Sequence, residues 1–217
     1  MRMTRAAAKE RNRRALLEAA FQVVSRDGYQ ARLEEIAERA EVTTGAVYSL
    51  FGSKNGLVIA LVADRLGPQY EDIEQATPPE LGLLEAVDAL ARHYRRGCDA
   101  PGARSGLSLQ FMLQDMALRD HELGARLAAS VRAQEEHLIA LLTGRSHGGT
   151  TVTSAQARRL ATALRALLIG LSQGVTLGLT QDADERYFAD AARTLVSNTT
   201  LVAEAEGVRP AAAGDEA

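Results

Sequence analysis

Residues 33–52 read LEEIAERAEVTTGAVYSLFG, and the fold turns on them. Apolar residues fall at Ile36, Ala40, Val42, Val47 and Leu50, with the small Ala37 where two short helices would cross. That spacing predicts a helix over about 32–40, a turn, and a second helix over 44–50, packed as a helix-turn-helix. Any two short packed helices would match part of this pattern, so its weight depends on the surroundings. Gly45 lies inside the second helix, where it costs roughly 1 kcal/mol of helix propensity relative to Ala. Tight packing of helix on helix would explain such a glycine. So would the close approach of an outside surface.

Further outward, the pattern turns Val47 and Leu50 inward and leaves Thr44, Gly45, Tyr48 and Ser49 exposed. Thr43 is placed to cap the second helix and to offer its hydroxyl to a phosphate. Ser53 is a good N-cap for the next helix, and Lys54, one of only two lysines, follows in its first turn. A lysine there opposes the helix dipole unless an anion is shared with the free backbone N–H groups. A helix entering a major groove about 12 Å wide comes closest through a face of small side chains. Together these features predict a DNA-reading surface of Thr43, Thr44, Gly45, Ala46, Tyr48, Ser49 and Lys54, with Arg32 nearby. The second helix holds no Arg, Asn or Gln, so bidentate base contacts are scarce. Readout is expected to lean on Thr44, Ala46, Tyr48, Ser49 and DNA shape. Arg11, Arg13 and Arg14 stand equally well as phosphate contacts or as solvated charges of the first helix.

The rest of the composition agrees. The 217-residue chain has a net charge of −3, and its charge is uneven. Residues 1–60 hold ten Lys/Arg against seven Asp/Glu, and the remainder fifteen against twenty-one. A basic front on an acidic chain fits a polyanion partner. Ala, Leu, Arg and Glu dominate and strand-like runs are nearly absent, which favours helix throughout. The lone Cys98 excludes an internal disulfide, no apolar leader follows Met1, and a reducing cytoplasm is expected. The longest charge-free apolar run, Ala166 to Gln181, has 16 residues, short of the about 20 that a membrane span needs.

The two stretches RNRRALLEAAFQVVSRDGYQ and LEEIAERAEVTTGAVYSLFGSKNGLVIALV resemble the N-terminal DNA-binding domain of the TetR family of bacterial repressors over about residues 10–65. Gly28-Tyr29, Ile36-Ala37, Val42-Thr43, Gly45, Val47-Tyr48, Phe51, Ser53-Lys54 and Leu57 all match that pattern. The resemblance implies an all-α fold, with a three-helix helix-turn-helix domain at residues 1–60. A helical ligand-binding and dimerisation domain would follow at 61–206, and then a disordered tail at 207–217. It further implies a homodimer on a palindromic double-stranded DNA operator, released by a small-molecule effector of unknown identity. A TetR-like regulator without such an inducer, serving as an activator or answering a protein partner, is the alternative. Three positions depart from the pattern. The chain is one residue short between Tyr29 and Leu33 and lacks the capping Thr of the second helix, Glu41 stands where Gly is usual, and Leu50 replaces the frequent His.

Helices are expected at about 9–26, 53–66, 79–98, 105–118, 121–143, 153–179 and 184–205, with Gly67-Pro68 ending one of them. An apolar pocket with polar members would draw on Phe111, Met112 and Met116 with His93, Tyr94, Gln114 and His137. Gly170, Gly174 and Gly178 recur every four residues and predict one smooth helix stripe for close packing. That packing is either within the chain or, with Leu195, across a dimer seam. Gly170-Leu171-Ser172-Gln173-Gly174 matches the G-x-S-x-G elbow of serine hydrolases. That elbow needs a strand before Ser172 and a later His, and LATALRALLI before it is helical. No cofactor or metal is expected, since no histidine pair has i, i+4 spacing.

Overall fold

The computed structural model describes residues 4–197, apart from the side chains of Tyr29 and residues 65–71. The expected tail at 207–217 and the end of the helix expected over 184–205 lie outside these residues. The described chain is helical from end to end apart from one tiny hairpin. Its helices are α1 (Arg5–Asp27), α2 (Leu33–Arg39), α3 (Thr44–Phe51), α4 (Lys54–Ala76), α5 (Leu83–Gly97), α6 (Ala103–Arg119), α7 (His121–Leu142), α8 (Ser154–Thr176) and α9 (Glu185–Ser197). A 3₁₀ turn at Gly28–Gln30 follows α1, and strands β1 (Ser146–His147) and β2 (Thr150–Thr151) pair antiparallel between α7 and α8.

Two apolar cores divide the molecule. In the first, Leu16, Leu17, Ala20 and Val23 of α1 meet Ile36 and Ala37 of α2, Val47 of α3, and Leu57 and Leu61 of α4. This head also gathers Leu109, Leu113 and Met116 of α6 and Leu123 of α7, so α6 is packed against it. In the second core, Leu83, Val87 and Leu90 of α5 pack with Leu142 of α7, Leu160, Leu164 and Leu168 of α8, and Phe188 and Val196 of α9. The amphipathic helices α5 and α9 lie side by side there with their buried faces opposed.

Gly67-Pro68 does not end α4, which continues to Ala76, so the expected boundary at residue 60 falls within a continuous helix. Pro68 removes one backbone donor at a cost of about 3 kcal/mol, but tertiary contacts beyond it hold the helix. Ile73 is buried in the second core, and the Thr77 hydroxyl donates to the Ile73 carbonyl at 2.6 Å. One helix therefore belongs to both cores.

The turn after α4 is tied down by Arg145, which is only 6% exposed. Its Nε donates to the Leu141 carbonyl at 2.6 Å. Its two terminal nitrogens donate to the carbonyls of Pro78, Leu81 and Thr77 at 2.9, 2.9 and 2.7 Å. Burial pulls its guanidinium pKa down, with Glu80 opposing. The planar fork suits this role, since it reaches several acceptors at once.

Candidate nucleic-acid interface and ligand cleft

The turn of the helix-turn-helix is made by Glu41, whose φ is 55°, and by Val42, whose N–H donates to the Ala37 carbonyl at 3.0 Å. The strained conformation expected where Glu replaces Gly is therefore present. α2 starts at Arg32 without a side-chain cap, as the missing Thr implied. α3 and α4 are capped. The Ala46 N–H donates to the Thr43 hydroxyl at 3.3 Å, and the Gly56 N–H to the Ser53 hydroxyl at 3.0 Å.

On α3, Val47 is fully buried and Leu50 packs partly against the head core. Thr43, Gly45, Tyr48 and Ser49 are exposed, Thr44 and Ala46 are half-buried, and Arg32 stands exposed before α2. Gly45 decides between its two explanations: a Cβ added there would have only the Thr43 hydroxyl within 4 Å, at 3.7 Å. No other described residue comes within 4 Å of that position. Lys54 is half-buried at the start of α4. Burial pulls its ammonium pKa down, and Glu34 of α2 opposes that. Of the α1 arginines, Arg13 lies over the Phe51 ring at 5.9 Å, bracing α3, while Arg14 pairs with Glu10 at 3.0 Å. An Arg–aromatic contact of that kind has no short-range sequence signal.

The residues expected to form one ligand pocket do not come together. Met116 is buried in the head core, Met112 packs against the Gly28 turn, and Phe111 and Gln114 are exposed. The reason is that α6 turns its apolar face to the head rather than to the body. Tyr94 and His137 do meet, in a narrow cleft between α4, α5, α7 and α8, partly open to solvent, with a cavity volume of about 30 Å³. Ile73, Leu90, Leu138 and Leu141 make it apolar, and Glu74, Gln134 and Arg165 complete its lining. His93 lies outside it, its ring edge-on to Tyr94 at 6.5 Å. Burial and Arg96 pull the His93 pKa down. A smaller, almost wholly apolar crevice of about 10 Å³ separates α4 from α6 and α7 beside the head.

The glycine stripe is also corrected. α8 ends at Thr176, and Gly178, at φ 77°, is the left-handed residue that stops it. At Gly174 an added Cβ would lie 2.7 Å from the Thr180 hydroxyl oxygen, so the crowding is with the chain's own returning turn. Gly170 is exposed, with no other described residue within 4 Å of an added Cβ, and Leu195 packs partly against the second core. The G-x-S-x-G segment lies entirely within α8, with no strand before it, so Ser172 sits on no nucleophile elbow. No group of metal-ligating side chains occurs among the described residues, and no single helix there is long and apolar enough to cross a membrane.

A compact three-helix head with a capped, small-faced second helix of the helix-turn-helix defines a DNA-binding regulator. Residues 16–61 match the model of the bacterial regulatory proteins of the tetR family. The HTH-type transcriptional repressor KstR of Rhodococcus jostii is 30% identical over 113 residues, 50% of this chain and 51% of that one.

 The fatty acid metabolism regulator protein of Bacillus subtilis is 31% identical over 81 residues, 36% of this chain and 42% of that one. The chain thus spans about half or less of these two relatives. Among solved structures, a TetR-family member from Streptomyces coelicolor A3 is 25% identical, with a TM-score of 0.63 over 88% of this chain and 98% of that one. Residues 16–61 therefore carry the DNA-binding domain of the tetR family, and the fold over most of the chain is shared with a TetR-family structure.

Proposed function

We propose that the chain is a repressor that binds a palindromic operator as a homodimer in the cytoplasm and leaves it when a small molecule enters the cleft between α4, α5, α7 and α8. The observation that carries this reading is the open face of α3, where among the described residues only the Thr43 hydroxyl would come within 4 Å of a Cβ added at Gly45. Thr43, Thr44, Ala46, Tyr48 and Ser49 surround it as the base- and phosphate-facing set, with Lys54 and Arg32 as flanking cations. One small reading head makes few contacts, so two are needed on two half-sites. The exposed face of α8 around Gly170, with Leu177, Leu179 and Tyr187 exposed nearby, supports a dimer seam on this side of the body.

α4 supports the coupling between cleft and head. It begins beside α3 with Lys54, and it lines the cleft with Ile73 and Glu74. Asn55 Nδ2 also donates to Asp120 Oδ2 at 2.9 Å, and Asp120 caps α7, whose far end lines the same cleft. A ligand that shifts α7 against α4 would shift the heads relative to each other. Fluorescence anisotropy with duplexes from the DNA flanking the gene tests the reading. Tight binding that weakens steeply between low and moderate salt is expected, because phosphate contacts dominate. Salt-insensitive binding, or none to any flanking duplex, would overturn it.

A further inference from the structure

We infer that the cleft between α4, α5, α7 and α8 takes an organic monocarboxylate, an apolar body carrying one carboxylate that Arg165 holds. This rests on the cleft being the effector site. Arg165 lines the cleft, and its Nε is buried without a hydrogen-bond partner. Several other body arginines are paired. Arg92, Arg95, Arg96 and Arg158 pair with Asp88, Asp99, Glu185 and Glu136, and Arg145 spends its donors on four carbonyls. A buried N–H donor without an acceptor is unfavourable until something accepts from it.

A carboxylate suits this arginine best, because a guanidinium pairs with it through charge-assisted N–H donors. A neutral ligand would leave the charge unpaired in an apolar wall, and a cation would add repulsion. Ile73, Leu90, Leu138 and Leu141 supply the surface for an apolar body. Glu74 is exposed at the rim of the same cleft, where its negative charge disfavours a doubly charged ligand. Tyr94 and Gln134 add neutral hydrogen-bonding groups. Burial pushes the Tyr94 phenol pKa up, which keeps it a donor.

Isothermal titration of the full chain with octanoate, 1-octanol and octylammonium tests the charge. Octanoate is expected to bind at least about tenfold more tightly than either other probe. Arg165→Gln should bring octanoate and octanol within about twofold by weakening octanoate alone, while Arg165→Lys keeps part of the preference. Without ligand, Arg165→Gln should melt at or above the wild-type temperature, because it removes an unsatisfied buried donor. Should that variant fail to fold, the wild-type preference and Arg165→Lys still decide. Equal binding of octanoate and octanol, no octanoate binding, or a preference that survives Arg165→Gln overturns the inference. Gln134→Trp, which fills the cleft, separates the two levels. If octanoate binds this variant undiminished, the effector site lies elsewhere and the cleft reading falls as well. If it blocks octanol and octanoate that bound equally, the cleft stands and only the carboxylate inference falls.

Discussion

In the head, the candidate contacts Thr43, Thr44, Gly45, Ala46, Tyr48 and Ser49 lie within seven consecutive positions on one capped helix. In the body, the cleft draws Ile73, Leu90, Gln134 and Arg165 from four separate helices. A contact surface carried on one helix is written in local spacing, whereas a cleft between helices depends on which faces their packing turns together. The head is therefore readable by period and cap. The body is readable only once its helices are placed.

The largest expected effect tests how far the body depends on such distant contacts. Arg145→Ala strands the carbonyls of Thr77, Pro78, Leu81 and Leu141, so it should cost about 3 kcal/mol or more in chemical denaturation. DNA affinity at low temperature should stay close to wild type, since none of these groups belongs to the head. A variant that melts normally would show that the turn after α4 is held by other means.

The same contrast explains what was legible. Helix-turn-helix, caps at Thr43 and Ser53, and the uncapped start of α2 all follow from residues a few positions apart. The course of α4 through Gly67-Pro68 does not, because contacts of Ile73 with the second core outweigh the local break. Met112 and Met116 look like pocket walls until α6 is seen to pack on the head. Arg165 carries no local signal at all. Its meaning comes from an unpartnered Nε beside a cleft built by other helices.

Gly174 and Gly170 sharpen the comparison inside a single helix. Gly174→Ala places a methyl against Thr180 and should cost about 1 kcal/mol, the lower end for overpacking. Gly170→Ala meets no described residue within 4 Å and should leave the melting temperature of the isolated subunit unchanged or slightly raised. Sedimentation of Gly170→Leu then asks about the proposed seam. A dimer that persists undisturbed would move the seam away from this face.

Lys54→Ala should weaken specific and non-specific duplexes alike, by about fivefold or 1 kcal/mol, and lower the salt slope by about one. Thr44→Ala should instead change the preference among operator variants. A Lys54 variant with unchanged affinity and slope would remove its phosphate role, and leave it as a partner of the Glu34 charge.

The smallest change in stability makes the sharpest test of the head. Gly45→Ala adds one methyl to α3, and only the Thr43 hydroxyl, at 3.7 Å, stands within 4 Å of it. That is ordinary contact distance, so nothing in the chain has to move. Alanine also restores helix propensity, and the variant should gain about 0.5 kcal/mol, less than mid-helix because the site is in the first turn. If Gly45 serves only the fold, DNA binding should follow stability and hold or improve. If the glycine lets α3 sit deep in the groove, the methyl holds the backbone off and affinity should drop while the melting temperature rises. Denaturation and anisotropy on the same preparation separate these outcomes. Opposite changes in the two measurements identify a surface shaped for its partner, and parallel changes would return Gly45 to the fold.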